Sequence, residues 1–514
     1  MEISSNIQTV LHFLALLSLF GIWRKLAKTK KIQVPEPPGS LPFIGHLHLL
    51  GVQKPACKIL ASIADKSGPF FALRLGSKRL LVVSSWEIAK QCLSENDRVF
   101  ATRARIAAGK HMGYNDAVFA LAPYGEYWRD VRKLVTLQLL SHNRLEALKH
   151  VRHSEIDLLL KQLYSGDQEK VINLSKLLEE FTFNINLRML VGKRYCSESF
   201  EDENSEAWRY KKAIEEAIFL SGCFVLSDAI PWLEWFDYEG YIGRMKRVGK
   251  EADSLIGKWL EEHLMNKNGD NENDFMNIML SHLQGDAKSM YGHSRDTIIK
   301  ATTLNLTLTG AGSTSVTLTW AISLLLNNPH VLKTAQEELN TYVGKSKWVQ
   351  ESDIPNLKYL QAIVKETLRL YPPGPVTGIR EAMQDCNING YYIPKGSRLL
   401  INIWKLQRDP RVWNNPDEFL PTRFLTTHAD IDLKGQNLEF IPFGSGRRGC
   451  PAMNYGLHIV HLTVAKLIQG FDLSTVGNEG IDMKEGLGLA LPKMNPLQVI
   501  IKPRLGLELY QCLN

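Results

Sequence analysis

Phe443-Gly444-Ser445-Gly446-Arg447-Arg448-Gly449-Cys450-Pro451 decides how this chain is read. One cysteine sits at the tip of a glycine-rich loop, and a helical pattern begins directly after it. The glycines free the backbone to bend tightly and let a large flat ligand lie close to it. Arg447, Arg448, the loop N–H groups and the start of the next helix are expected to favour an anion at the Cys450 sulfur. A thiolate held in this way is a soft metal ligand. The same letters also satisfy a dinucleotide fingerprint, Gly444-x-Gly446-x-x-Gly449, with the apolar run Leu438 to Phe443 before it and Asp472 after it. Pro442 argues against that alternative, because it removes a ladder donor where a central strand should end. Arg447 and Arg448 crowd a turn that normally holds small residues, and residues 451–514 are too few to complete a doubly wound sheet.

The loop resembles the haem-binding signature of the cytochromes P-450, whose Phe-x-x-Gly-x-Arg-x-Cys pattern falls on Phe443, Gly446, Arg448 and Cys450. Thiolate ligation of haem iron favours O–O cleavage. The resemblance therefore implies Cys450 as the metal ligand and Phe443 as part of the cofactor-binding loop. Further segments resemble elements of the same family and occur in its order. Trp128-Arg129-Asp130-Val131-Arg132 carries Trp and Arg at i, i+4, on one helical face. The resemblance assigns Trp128, Arg132, Arg380 and Arg448 to the haem propionates, and guanidinium–carboxylate pairing is strong and geometrically specific. Glu366-Thr367-Leu368-Arg369, just before Tyr371-Pro372-Pro373, resembles the family's Glu-x-x-Arg element. Phe419-Leu420-Pro421-Thr422-Arg423-Phe424 resembles its companion segment, so Glu366, Arg369 and Arg423 are expected to form a buried ion network. Outside that setting Glu366 and Arg369 would read as an ordinary solvated pair.

Thr309-Gly310-Ala311-Gly312-Ser313-Thr314-Ser315 lies inside a long helical pattern and resembles the oxygen-activating segment. Interior glycines cost about 1 kcal/mol each relative to Ala, and close approach of a ligand is the expected compensation. Counted back from Trp320, Gly312 stands where the family carries an acid and Ser313 where it carries threonine. Ser313 and Thr314 are therefore the candidate catalytic hydroxyls, and the carboxylate is missing. Val376 to Ile379, Leu487 to Leu491, Ala107 to Phe119 and Ile218 to Trp232 correspond to pocket-lining segments and are largely apolar, which suits a hydrophobic substrate. The aromatic-rich run Phe219 to Tyr241 fits either a membrane surface or a buried aromatic cluster.

The rest of the chain bounds this reading. Its 514 residues are 44% hydrophobic and 22% charged, an ordinary globular composition with ample core. Cys57, Cys92, Cys196, Cys223, Cys386 and Cys512 form neither a metal spacing nor a disulfide framework, and read as reduced structural thiols, which suits a catalytic domain facing the cytosol. The net charge of +7 is modest and spread along the chain, which does not indicate nucleic-acid binding. Ile7 to Trp23 is mostly apolar and is followed by Arg24, Lys25, Lys28, Lys30 and Lys31. That order suits an N-terminal membrane anchor with a cytosolic bulk better than a cleaved signal. Residues 1–24 are read as the anchor, 25–42 as a basic and proline-rich hinge, and 43–514 as one catalytic domain.

Helical periodicity marks Arg144 to Tyr164, Glu206 to Leu220, Tyr241 to Met265, Asp296 to Leu326, Val331 to Val343, Leu357 to Leu370 and Asn454 to Gln469. Phe70 to Leu75, Arg79 to Val83 and Ser397 to Ile401 look like strands, and Asn266 to Asp274 like a loop. The class is α-rich α+β. The resemblance makes it the cytochrome P-450 fold, a triangular prism, with one N-terminal transmembrane helix.

Over the whole chain the resemblance is to plant microsomal members of the A-type group, most like family 82. It implies haem b (iron protoporphyrin IX), dioxygen, a lipophilic small-molecule substrate, and NADPH used indirectly through a flavoprotein reductase partner. The implied activity is monooxygenation of an alkaloid, terpenoid, flavonoid or coumarin at the endoplasmic reticulum membrane. Two alternatives stand beside it. One is a reductase-independent member that rearranges peroxides, which the missing acid favours and the uninterrupted loop before Cys450 opposes; the other is a membrane-tethered haem binder without turnover.

Overall fold

Phe70–Leu75 (β1) and Lys78–Val83 (β2) form an antiparallel hairpin, with Gly76 at the turn in the left-handed region (φ 57). The computed structural model describes residues 32–50, 54–164, 171–223, 225–265, 274–283 and 291–513. The anchor, the basic part of the hinge and residues 266–273 of the polar loop lie outside the described residues. Thr102–Arg103 (β3), Val171–Asn173 (β4), Arg380–Glu381 (β5), Cys386–Ile388 (β6), Tyr391–Ile393 (β7), Arg398–Ile401 (β8), Phe471–Thr475 (β9) and Gln498–Pro503 (β10) are the remaining strands. The largest sheet runs β1-β2-β8-β5-β3, with β8 parallel to β2 and the other neighbours antiparallel. β8 is buried along its whole length, so it reads as a continuous apolar run after Arg398. Its neighbour β5 thereby holds Arg380 inside the protein.

Ten helices among the described residues reach twelve residues or more. They are Ala56–Ser67 (α1), Glu126–Gln138 (α2), Lys149–Tyr164 (α3), Leu174–Val191 (α4), Glu206–Gly222 (α5), Tyr241–Met265 (α6), Arg295–Asn327 (α7), Pro329–Tyr342 (α8), Lys358–Leu370 (α9) and Met453–Gly470 (α10). Ser294 caps α7 by accepting from the Thr297 N–H. Pro329 at the start of α8 is separated from the end of α7 by Asn328 alone, a position proline suits because no donor is lost there. α7 packs on α4, α6, α9 and α10 and forms the axis of the main core. Among the described residues no helix is long and apolar enough to cross a membrane.

The helix starting at Arg144 breaks at Leu148 (φ −91, ψ 10), separating a short helix, His142–Ala147, from α3. α4 has no counterpart in the sequence reading, and its environment explains why. It is buried almost all round, with Glu180, Asn184 and Asn186 inside beside Phe181 and Leu187, so no one-sided apolar stripe exists to be seen.

Candidate active site

Leu438 to Phe443 forms no strand, which removes the dinucleotide alternative. The chain instead turns twice on left-handed glycines, Gly444 (φ 71) and Gly446 (φ 67). A Cβ on Gly446 would lie 2.3 Å from the Asp97 carboxylate, so a side chain is excluded there by contact as well as by conformation. The Cys450 N–H donates to the Phe443 carbonyl at 2.8 Å and closes the loop, and α10 begins three residues later. Cys450 opens into a cavity of about 400 Å³ and is enclosed by protein on its other sides.

Burial pushes the Cys450 thiol up; the Ala452 N–H and Arg132 pull it down without reversing the shift. The start of the helix thus helps a thiolate as expected, but Arg447 and Arg448 do not. Arg447 turns away to Asp97 at 2.5 Å. Arg448 donates to the carbonyls of Ala101, Phe119 and Ala122 at 2.6, 3.2 and 2.6 Å. The cation acting on the sulfur is Arg132, which donates to the Gly449 carbonyl at 2.6 Å.

Four guanidiniums line the cavity: Arg103, Arg132, Arg380 and Arg448. Trp128 gathers two of them, with Arg448 4.4 Å and Arg132 5.4 Å from its ring centre. Burial, reinforced by the neighbouring arginines, pushes Arg103 down to about 9 and Arg448 to about 8. Burial also pushes Arg380 down to about 10, against the pull of Asp97. Arg380 is 2% exposed, and its buried Nε and Nη1 make no hydrogen bond. Among the described residues lining the cavity none is Asp or Glu. Buried cations crowded together without acids fit an anionic ligand, and two carboxylates on a flat metal-bearing group match both the charge and the nearby thiol. The haem-binding residues expected from sequence thus share one cavity, with Phe443 in its wall.

Ser313 and Thr314 both line the cavity from α7. Their hydroxyls donate to carbonyls one turn back, Thr309 at 2.7 Å and Gly310 at 2.9 Å. Gly312 is not part of that wall; a Cβ there would meet Ile218 at an ordinary 3.6 Å. Gly310 is explained by protein packing rather than ligand approach alone, since a Cβ would sit 2.4 Å from Asn186 Oδ1 on α4. Of the segments expected to line the pocket, Phe119 and Val376 to Gly378 do so. The described residues of Ile218 to Trp232 and Leu487 to Leu491 are not among those lining this wall, but the two segments meet each other, Gly222 against the Leu489 backbone.

The Glu366 network lies behind the cysteine loop. Glu366 and Arg369 are fully buried and Arg423 is 5% exposed. Arg369 donates to both Glu366 oxygens at 2.8 and 2.9 Å, and Arg423 adds a third bond at 3.0 Å. Carbonyls of Gln407, Pro416, Glu418 and Asn414 take the remaining guanidinium donors. Gln407 carries the network forward, receiving the Ile441 N–H at 3.0 Å just before the cysteine loop.

Arg103, Asp97 and the hydroxyls of Thr309 and Thr317 escaped the sequence reading. The threonines had a signal, a four-residue spacing through Ser313 that puts all three on one helical face. Arg103 had none, because its strand is two residues long.

The family profile described as cytochrome P450 matches residues 35–500. Dimethylnonatriene synthase of Arabidopsis thaliana is 49% identical, covering 99% of each chain. Xanthotoxin 5-hydroxylase CYP82C4 of the same plant is 46% identical, over 95% of this chain and 96% of its own. A zebra fish cytochrome P450 solved with progesterone matches with a TM-score of 0.75 at 24% identity, covering 87% of this chain and all of that one.

Proposed function

The chain belongs to the cytochrome P450 family, beside plant members of its family 82, and is a monooxygenase; we propose that it oxidises a hydrophobic plant specialised metabolite. The reaction balances as R–H + O2 + NADPH + H⁺ → R–OH + H2O + NADP⁺, with the electrons passed through a flavoprotein reductase. Haem, when bound, supplies the activation of dioxygen and the transfer of one oxygen atom. The observation carrying this reading is the pairing, in one cavity, of a single cysteine with four guanidiniums and no Asp or Glu among the described lining residues. Cys450 would hold the iron, Arg132, Arg380 and Arg448 the propionates, and Trp128 the orientation of two of those arginines. Ser313 and Thr314 would hold protons at the cavity wall, where no carboxylate is available to do so. Apolar wall residues such as Leu139, Met189, Leu368 and Val376 favour a lipophilic substrate and exclude water. Names of the relatives, a xanthotoxin hydroxylase and a dimethylnonatriene synthase, support a coumarin- or terpenoid-like substrate class.

Arg129, Lys133 and Arg447 are exposed, and Arg129 and Arg447 both reach Tyr124. They make a basic docking face for an acidic reductase. Trp232, Trp235 and Tyr238 are 72%, 79% and 83% exposed, which removes the buried-cluster reading of that run. Phe43, 91% exposed, lies nearby, since the Gly76–Ser77 turn bonds both Ile44 and Ala229. These aromatics suit the surface of the membrane that residues 1–24 would anchor to, at the endoplasmic reticulum, with 43–514 as the catalytic domain.

The test is reconstitution with reductase and NADPH against a panel of coumarins, terpenoids, flavonoids and alkaloids. Substrate-dependent NADPH consumption with a product gaining one oxygen atom is expected. Turnover of a hydroperoxide without NADPH would transfer the assignment to the peroxide-rearranging alternative, and haem binding with no turnover to the non-catalytic one.

A further inference from the structure

We propose that Asp97 is a positioning residue that locks the cysteine loop and aims Arg380 into the cavity; this rests on the haem reading above. Gln91–Glu95 is a widened helical turn, and Asp97 lies two residues beyond it, 7% exposed. Its carboxylate accepts the Arg447 backbone N–H at 3.1 Å and the Arg447 guanidinium at 2.5 Å. Its Oδ1 lies over Gly446, in the place a Cβ would need. The same Oδ1 is 3.7 Å from Arg380 Nη1, while Arg380 Nη2 donates to the Ser445 carbonyl at 3.1 Å.

Five guanidiniums stand around this loop, on Arg103, Arg132, Arg380, Arg447 and Arg448. Among the described residues Asp97 is the carboxylate that forms ion pairs with any of them. It takes two and leaves the cavity-facing remainder uncompensated. Asp97 therefore does two things at once. It fixes the backbone turn that presents Cys450, and it tethers Arg380 through Nη1, so that the guanidinium, with Nε unbonded, stays in the cavity wall. Charge-assisted bonds to a buried carboxylate are strong and directional, so a neutral isostere should weaken both tasks without refilling the space.

The test compares Asp97→Asn with Arg447→Ala in full-length, haem-loaded protein. Arg447 is exposed, so its replacement keeps a folded control if Asp97→Asn fails to fold. Three quantities are read: the lifetime of the thiolate-type carbon-monoxide band in mild denaturant, haem transfer to apomyoglobin, and the reduction potential. Asp97→Asn should shorten the band lifetime and speed haem transfer about tenfold, the effect of losing one charge-assisted pair. Arg447→Ala, which removes the side-chain tie and keeps the backbone N–H bond to Asp97, should shorten the lifetime less and leave haem transfer near wild type. The potential should move positive in Asp97→Asn, which loses a negative charge, and negative in Arg447→Ala, which loses a positive one. A general loosening of the loop would move both the same way. Equal lifetimes in all three proteins, or shifts of one sign, would overturn the proposal. Should Asp97→Asn not fold, an Arg447→Ala lifetime equal to wild type overturns it alone. A wild-type protein without the thiolate band would instead bring down the haem reading.

Discussion

Two arginine-rich regions of this protein sit on either side of the cysteine loop and solve opposite problems. At Glu366, each guanidinium is matched: two oxygens accept three bonds, and backbone carbonyls absorb the rest. In the cavity, Arg103, Arg132, Arg380 and Arg448 face one another with no acid in the wall, and Arg380 keeps two buried nitrogens unbonded. The first arrangement is complete without a ligand and is a brace. The second is complete only when something anionic arrives, which marks it as a binding site. Buried charge thus distinguishes scaffold from site by its satisfaction rather than its amount.

The largest effect should come from the matched region. Glu366→Gln leaves two buried guanidiniums without their carboxylate and should cost about 3–5 kcal/mol. Little folded, haem-retaining protein is expected, read from soluble yield and thermal melting. A melting temperature near wild type would erase the contrast. The unmatched region should behave differently. Arg380→Met removes a buried cation whose Nε and Nη1 make no hydrogen bond, and Asp97 keeps its bonds from Arg447, so the protein prepared without haem should melt close to wild type. Haem loss from the loaded variant, followed by transfer to apomyoglobin, should rise about tenfold. Equal damage to both forms would make Arg380 another brace.

A smaller effect concerns a base kept neutral. Burial, with His458 and Lys365 adding to it, pushes His461 on α10 down to about 4. The unfolded chain therefore binds more protons between an ordinary histidine value near 6.5 and about 4, so stability is fully present above that window and is lost as pH falls through it. The loss should be on the order of 2 kcal/mol, and His461→Gln should flatten the stability profile there, measured by urea unfolding across the range. An unchanged profile would show that His461 carries no such linkage.

Much of this was legible in the residues because it is local or spaced in the chain. β1 has the bounds its alternation predicts, and α6 runs over the residues its periodicity marks. Cys450, Trp128 and Arg132 declared themselves by pattern. Hidden features needed the third dimension. Asp97 lies far from Gly446 in sequence and earns its place only through contact, and Arg447 beside Cys450 misled because adjacency in the chain says nothing about where a side chain turns. α4 was invisible because a helix buried on every side loses the asymmetry that periodicity detects.

The carbon-monoxide difference spectrum of the dithionite-reduced protein, beside Cys450→Ser, tests the central claim most directly. A red-shifted Soret band in the wild type that is lost in the variant is the predicted result, and establishes thiolate-held haem at the acid-free cavity. Well-folded wild-type protein without that band, or a variant that keeps it, would contradict the account.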